Sequence, residues 1–485
     1  MPGTDRIFPD FKHVPKAELH VHIEGTLNYD DAMKMYATHL ENGHSVPDME
    51  ELINDETKKV KVESFGKFLE YYDKYCKLIK TEEDVYNLVY DYLMRCADEG
   101  VIYAEIITSY DHYKELRTDY STVELPSIDE ASIDEEDKSE AKPKLHYKIL
   151  SYSEYIQTCV SAIKQAREDS GIEARILEAL LRHNDVEACC KTVNMVLEAK
   201  NPYVVGVNLV GDEYNNPPEK FEKVFQLAKR GGLSVTVHVG EDPRVTPESI
   251  IATVDMYDLK RIGHGTQAAR SEEVIQELRD RGVTLECSPG SNYATEFWPR
   301  DEEHPVTIFD EKGLLVTLNS DDPAFDGFRT VGEEYDHLQS SKGYTNKKMC
   351  TFTRNAVNAA FIGEALKDKL NAQVSVYETY CDLVDYIQSA DTPSIARDSM
   401  HATLPSVGET FKSKFEDYLA QRTVSSLKEV EACTREGSKL RFLVETLHEK
   451  QMTYNEAVDV YDEFYQERFC DYVSDHADRA AGLVT

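Results

Sequence analysis

The sequence predicts an α/β protein: a (β/α)8 TIM barrel with an acidic insert and a C-terminal helical extension. Three observations carry this reading. Eight short apolar runs recur between Ala17 and Asn319, with amphipathic segments between several of them. Strands alternating with helices make right-handed βαβ units and a parallel sheet, and eight of them suit a closed barrel. Four of the runs end in histidine or acid, at the barrel rim where such folds carry their chemistry. The rival, a doubly wound sheet, loses its main support because no G-x-G-x-x-G follows the first run.

The runs in order are Ala17–His22, Val101–Ile107, Glu173–Leu181, Val204–Leu209, Ser234–Val239, Arg261–Gly263, Thr284–Cys287 and Leu315–Asn319. Pro218–Arg230 and Ser271–Arg281 read as connecting helices. In the second, Val274, Ile275 and Leu278 share one face, while Glu272, Glu273 and Asp280 take polar positions. The barrel is expected over residues 1–372, with an acidic insert at about 111–147. Residues 124–140 hold eight acids and one lysine, which reads as a solvated loop in preference to a partner-binding segment. Residues 373–485 read as a helical extension, with helical patterns in Glu409–Ala420, Ser426–Lys450 and Tyr454–Phe469 and the capacity to make an oligomer.

Composition excludes more than it assigns. The 485 residues include 54 Lys and Arg against 90 Asp and Glu, a formal net charge of −36. Phosphate backbones and anionic membranes are bound through Lys and Arg, so neither is an expected partner. No window approaches a membrane-spanning apolar run, and Met1 to Lys16 has no secretory apolar core. The ten cysteines form no C-x-x-C pair and read as reduced, cytoplasmic usage; the one close pair is Cys189–Cys190.

The chemistry gathers at four strand ends. The first run closes on His20-Val21-His22, and on a strand i and i+2 face the same way. The fifth closes on His238-Val239-Gly240-Glu241, the sixth on Gly263-His264-Gly265, and the eighth on Asn319-Ser320-Asp321-Asp322-Pro323. Taken singly, His264 reads as a turn residue and Asp-Asp-Pro as a helix cap. A closed barrel brings all four ends to one mouth. Imidazoles with a carboxylate suit a borderline-soft divalent ion, zinc first, which lowers the pKa of a bound water to about 7. A glutamic acid can then deliver a proton, and a further histidine can orient or deprotonate the water. Hydrolysis at an electrophilic carbon follows from such a set.

The segments PKAELHVHIEGTL (15–27), LVGDE (209–213), VHVGE (237–241), RIGHGTQ (261–267), ECSPGSN (286–292) and TLNSDDP (317–323) resemble the adenosine deaminase family of the amidohydrolase superfamily. The resemblance implies one Zn2+ on His20, His22, His238 and Asp321. It implies Glu241, His264 and Asp322 as catalytic residues, with Glu241 passing a proton to purine N1 and His264 and Asp322 orienting the attacking water. It also implies His22, Glu24, Gly211 and Asp322 at the substrate, the Gly211 backbone meeting purine N3. Binuclear relatives carry a bridging lysine where this chain reads Gly211-Asp212-Glu213, so one ion is expected. Cytidine-type zinc deaminases need P-C-x-x-C after H-x-E, and no P-C-x-x-C is present.

The substrate signals divide. Adenosine-specific members carry Asp where this chain has Glu24; Glu there, with the Asn319–Ala324 run, resembles the adenine deaminases. Gly211-Asp212-Glu213 and Gly263-His264 resemble the nucleoside enzymes, since adenine deaminases tend to carry Ser-Glu and Asp-His there. The resemblance thus implies deamination of adenosine and 2′-deoxyadenosine first, then of adenine or another 6-aminopurine. No Arg/Lys cluster lies near the motifs to hold a phosphate. A catalytically inactive binding barrel is the alternative from another class, and the filled catalytic positions speak against it. Elsewhere, His13, His39 and His44 read as surface residues, and Cys287 as a core hydrophobe. His183 stands at a strand end facing the mouth, Trp298 reads as entrance or core, and Phe65 and Phe68 as gate residues over a purine or an ordinary amphipathic helix.

Overall fold

The computed structural model describes residues 13–54, 56–62, 65–113, 117–119, 147–325 and 330–389. Eight parallel strands pair in sequence order: β1 Lys16–His22, β2 Val101–Thr108, β3 Glu173–Leu181, β4 Val204–Val210, β5 Ser234–Val239, β6 Arg261–His264, β7 Thr284–Cys287 and β8 Leu315–Leu318. Each matches its predicted run to within one residue at either end. The legible signal was apolar continuity, because barrel strands are buried on both faces.

The barrel closes at its functional rim. Beyond β8, the His22 N–H donates to the Asp321 carbonyl at 2.9 Å and the Asp321 N–H donates to the His20 carbonyl at 3.1 Å. One step below, the Leu19 N–H donates to Asn319 Oδ1 at 2.9 Å. The seam therefore runs through His20, His22 and Asp321.

Two kinds of packing fill the interior. Leu177, Ala179 and Leu181 lie two apart on β3 and cluster with Ile107 and Val210. Burying each large aliphatic side chain contributes about 1.5–3 kcal/mol. Beside them Arg261 of β6 is fully buried between Glu105 and Glu286, with Nε 2.9 Å from Glu286 Oε1. The Phe361 ring lies 3.7 Å from that guanidinium, and its N–H donates to Glu105 Oε1 at 2.6 Å. A buried cation persists only when paired in this way.

The predicted connecting helices are present. Ser271 caps α1, Glu272–Arg281, through the Val274 N–H, and Val274, Ile275 and Leu278 are its buried face. Pro218–Arg230 is divided: a 3-10 turn, Pro218–Phe221, leads into α2, Glu222–Arg230, because two prolines fix the entry. The ends of the insert pair as an antiparallel ribbon, Arg117–Asp119 with Tyr147–Ile149. The acidic block 124–140 lies outside the described residues, as do the helical patterns predicted beyond Ser389. The barrel belongs to the compact unit that runs from Pro15 to Asn371. No helix among the described residues is long and apolar enough to cross a membrane.

Candidate active site

Backbone conformation delivers the side chains to the mouth. His264 (φ +58°) and Asp321 (φ +60°) adopt the left-handed conformation just where β6 and β8 end. For residues other than glycine this costs on the order of 1–3 kcal/mol and persists where surrounding structure enforces it. Gly211 (φ +98°) and Gly240 (φ +70°) turn the ends of β4 and β5 in the same way.

His20, His22, His238 and Asp321 each offer one ligand atom, and the four atoms lie within 4.8 Å of one another. His20 donates Nδ1–H to Glu286 at 2.9 Å, and His238 donates Nδ1–H to Asn208 Oδ1 at 3.0 Å. Each ring thereby turns its Nε2 lone pair toward the cluster, the arrangement metal-binding imidazoles need. His20 Nε2 is buried without a hydrogen-bond partner. Burial, and then the neighbouring His20 and His264 rings, holds His238 well below the usual imidazole range. Three imidazoles and a carboxylate fit a divalent metal ion.

Glu241 and His264 stand beside that cluster. His264 Nε2 lies 3.7 Å from Glu241 Oε2 and 3.8 Å from Asp321 Oδ2. Burial, then Asp321 and Glu213, pushes the Glu241 carboxyl well above the usual carboxylate range. That shift favours the neutral acid, the form able to give up a proton. Asp322 enters the pocket because residue 25 is glycine: a Cβ there would sit 2.0 Å from Asp322 Oδ1.

A cleft with about 760 Å³ of open space, counted out into solvent at its mouth, leads down to these groups. His22, Glu24, Gly211, His238, Glu241, His264, Asp321 and Asp322 all line it, so one cavity gathers every predicted site residue except His20, which lies behind the others. Phe65 and Phe68 line one wall, and His183 stands at the mouth. Tyr72, Ser109 and His112 also line it and were not singled out from sequence. Glu24 lines the cleft and is held in place there. Its carboxylate accepts the Ser109 N–H at 3.0 Å and the Tyr72 hydroxyl at 3.3 Å.

One minor expectation changes and one open alternative is decided. His39 is buried, not superficial, because it donates to Asp84 at 2.8 Å. Trp298 is buried with Nε1–H bonded to the Glu303 carbonyl at 3.0 Å, so it anchors a loop and does not line the entrance. Glu286 and Asn208 carry no role in the sequence reading although each lies in or beside a quoted motif, and Glu213 enters it only as part of a substrate signal. Their signal was position: an acid or amide on a barrel strand must face a partner.

The family whose model matches this chain is described as Adenosine deaminase, over residues 15–377. Among curated relatives, the adenine deaminase of Rhizobium meliloti (strain 1021) is 30% identical over 365 residues, covering 75% of this chain and 99% of that protein. The adenine deaminase of Rhizobium leguminosarum bv. trifolii is 31% identical over 370 residues, covering 75% and 99%. Among solved structures, the adenine deaminase from Arthrobacter aurescens superposes with a TM-score of 0.62 at 26% identity, covering 75% of this chain and 98% of that one. The N6-methyl-AMP deaminase from Arabidopsis thaliana shares the fold, with a TM-score of 0.58 at 20% identity, covering 76% of this chain and 97% of that one.

Proposed function

The chain belongs to the adenosine deaminase family and is a hydrolytic deaminase acting on a C–N bond; on that premise we propose that it deaminates a 6-aminopurine, with free adenine as its substrate. The products are hypoxanthine and ammonia, and water is the second reactant.

The observation that carries adenine is the cleft wall at Glu24. That carboxylate is held by Ser109 and Tyr72 and is itself 1% exposed. As a lining residue one methylene longer than the aspartate of adenosine-specific relatives, it leaves less room for a ribose. Similarity over 99% of the length of relatives named adenine deaminase, and 75% of this chain, supports the same choice.

This reverses the order expected from sequence, where adenosine came first. Two motifs argued for adenosine, and in each one residue answers to the scaffold. Glu213 is spent on backbone: it accepts the N–H groups of Gly240, Glu241 and Asp242 at 2.9, 2.7 and 2.7 Å. Gly263 makes room for a ring: a Cβ there would lie 2.7 Å from His20 Cε1. Both are requirements of the scaffold.

His20, His22, His238 and Asp321 would hold one divalent ion, zinc by ligand type. When bound there, the ion supplies a water acidified toward neutral pH. Glu241, kept protonated, gives its proton to N1, beside the carbon that bears the amino group. That makes C6 more electrophilic. Asp322 and His264 flank the place where the oxygen adds, and the Gly211 backbone meets the N3 edge. The water's two protons complete the balance: one goes to the amino nitrogen, which leaves as ammonia, and the other returns to Glu241 as the C6 oxygen becomes a carbonyl.

The test is a steady-state comparison of adenine and adenosine on the same preparation, followed by ultraviolet absorbance and ammonia release. Adenine should give the larger kcat/KM. A larger value for adenosine overturns the substrate assignment and leaves the reaction class standing.

A further inference from the structure

Behind His264 lies a hydrogen-bonded chain in which every donor can be read. The Val306 N–H donates to His304 Nδ1 at 3.2 Å. A backbone N–H can only donate, so Nδ1 accepts and the His304 proton sits on Nε2. That Nε2 lies 3.1 Å from Asn292 Oδ1, which therefore accepts. The Asn292 amide is thereby oriented, with Nδ2 on the opposite side. Nδ2 carries two hydrogens and has two partners, Glu241 Oε1 at 3.4 Å and His264 Nδ1 at 3.3 Å. His264 Nδ1 thus accepts in turn.

The far side of the His264 ring agrees. Its Nε2 faces Glu241 and Asp321 oxygens at 3.7 and 3.8 Å, and it is buried with no partner of its own. The Asp321 carboxylate would repel a lone pair there and attracts an N–H. His304, Asn292 and His264 are all buried, so water does not offer a competing donor from behind.

We propose that His304 and Asn292 are positioning residues that lock His264 in its Nε2–H form, so that His264 meets the reacting oxygen as a hydrogen-bond donor and cannot take a proton from it. His264 then stabilises charge that develops on that oxygen, as a preorganised donor does. The base must be another group. Burial supports the neutral form of the chain, since it lowers His304 to about 3. The placement of the donor at the reacting oxygen rests on the deaminase chemistry proposed above; the tautomer rests on the hydrogen bonds alone.

Two-bond 1H–15N correlation spectra of the full-length, zinc-loaded protein, labelled with 15N-histidine, read the tautomer directly. The His264 and His304 signals are identified by their loss in His264→Gln and His304→Phe. Both rings should be Nε2–H across neutral pH. Asn292→Asp puts a carboxylate oxygen against His264 Nδ1, so the proton should move to Nδ1 and kcat should fall about 10²-fold, with KM nearly unchanged. A wild-type His264 carrying its proton on Nδ1 overturns the proposal, as does Asn292→Asp with unchanged tautomer and kcat. The wild-type spectrum needs neither a folded variant nor a substrate. A wrong substrate assignment would leave it unaltered.

Discussion

Glu213 holds the backbone of Glu241: its Oε1 accepts the Glu241 N–H at 2.7 Å, and its two oxygens together accept three consecutive amide hydrogens. The carboxylate at the end of β4 thus sets where the acid at the end of β5 points. Glu213→Gln leaves one acceptor oxygen for three donors and turns an NH2 toward an N–H. An unpaired buried amide costs roughly 1–3 kcal/mol. Differential scanning fluorimetry should show a lower Tm, and kcat/KM should fall about 10- to 100-fold. Unchanged kcat/KM despite a lower Tm would limit Glu213 to stability.

Glu241 itself should act only when protonated. Burial raises its pKa well above the usual carboxylate value, which favours the acid form. Activity should therefore hold on the acid side of that pKa and decline as pH rises through it. Glu241→Gln should lose roughly 10²- to 10⁴-fold in kcat and also lose the alkaline limb. Profiles of kcat/KM from about pH 6 to pH 10 check both. Retained turnover in the Gln variant would remove Glu241 as the proton donor.

What could be read from sequence followed the physics of strands. Apolar runs placed all eight strands, and His20 and His22 were seen to share a face because i and i+2 always do. The groups that orient the site were not legible. Asn292 and His304 lie twelve residues apart and meet through a bond of 3.1 Å that no periodicity announces. Glu213 and Gly263 stood in recognised motifs but were read as substrate signals. Only the structure separates what a motif residue touches from what it accompanies.

Asn208 offers a clean test of the metal site, since its side chain meets His238 Nδ1 at 3.0 Å and is not itself among the four clustered ligands. Removing such a partner typically costs 10- to 100-fold in metal affinity. Asn208→Ala should weaken zinc binding by that factor in a chelator competition followed by metal analysis. Equal affinity would mean that β5 packing alone orients His238.

Glu334 makes a pH prediction away from chemistry. Gly290 donates its N–H to one carboxyl oxygen at 2.6 Å, while the other is buried without a partner. Burial raises its pKa from the ordinary 4.5 to about 8. The folded state binds this proton more tightly than the unfolded chain. Its contribution is thus full below the unfolded pKa and is lost as pH rises through the folded one, at about 1.4 kcal/mol per pH unit. Glu334→Gln keeps an acceptor for Gly290 and cannot ionise. Its Tm should gain on the wild type between about pH 5 and pH 8. Parallel Tm profiles would show that the Glu334 pKa is not raised by the fold.

Glu24 decides the substrate if the cleft wall does what its geometry allows. Its carboxylate reaches Ser109 and Tyr72 only with the full length of a glutamate side chain. Glu24→Asp withdraws the group by one methylene, about 1.5 Å. The wall partners are then left apart, and a space opens in the cleft. Adenine loses a pocket shaped to it, while adenosine gains room. The ratio of kcat/KM for adenine over adenosine should therefore fall by at least about tenfold, since one methylene in a pocket discriminates by roughly 10- to 200-fold. Steady-state rates with both substrates on wild type and variant measure it. A ratio that stays fixed would assign the preference to Phe65, Phe68 and the aromatic wall they form, which Glu24→Asp does not touch.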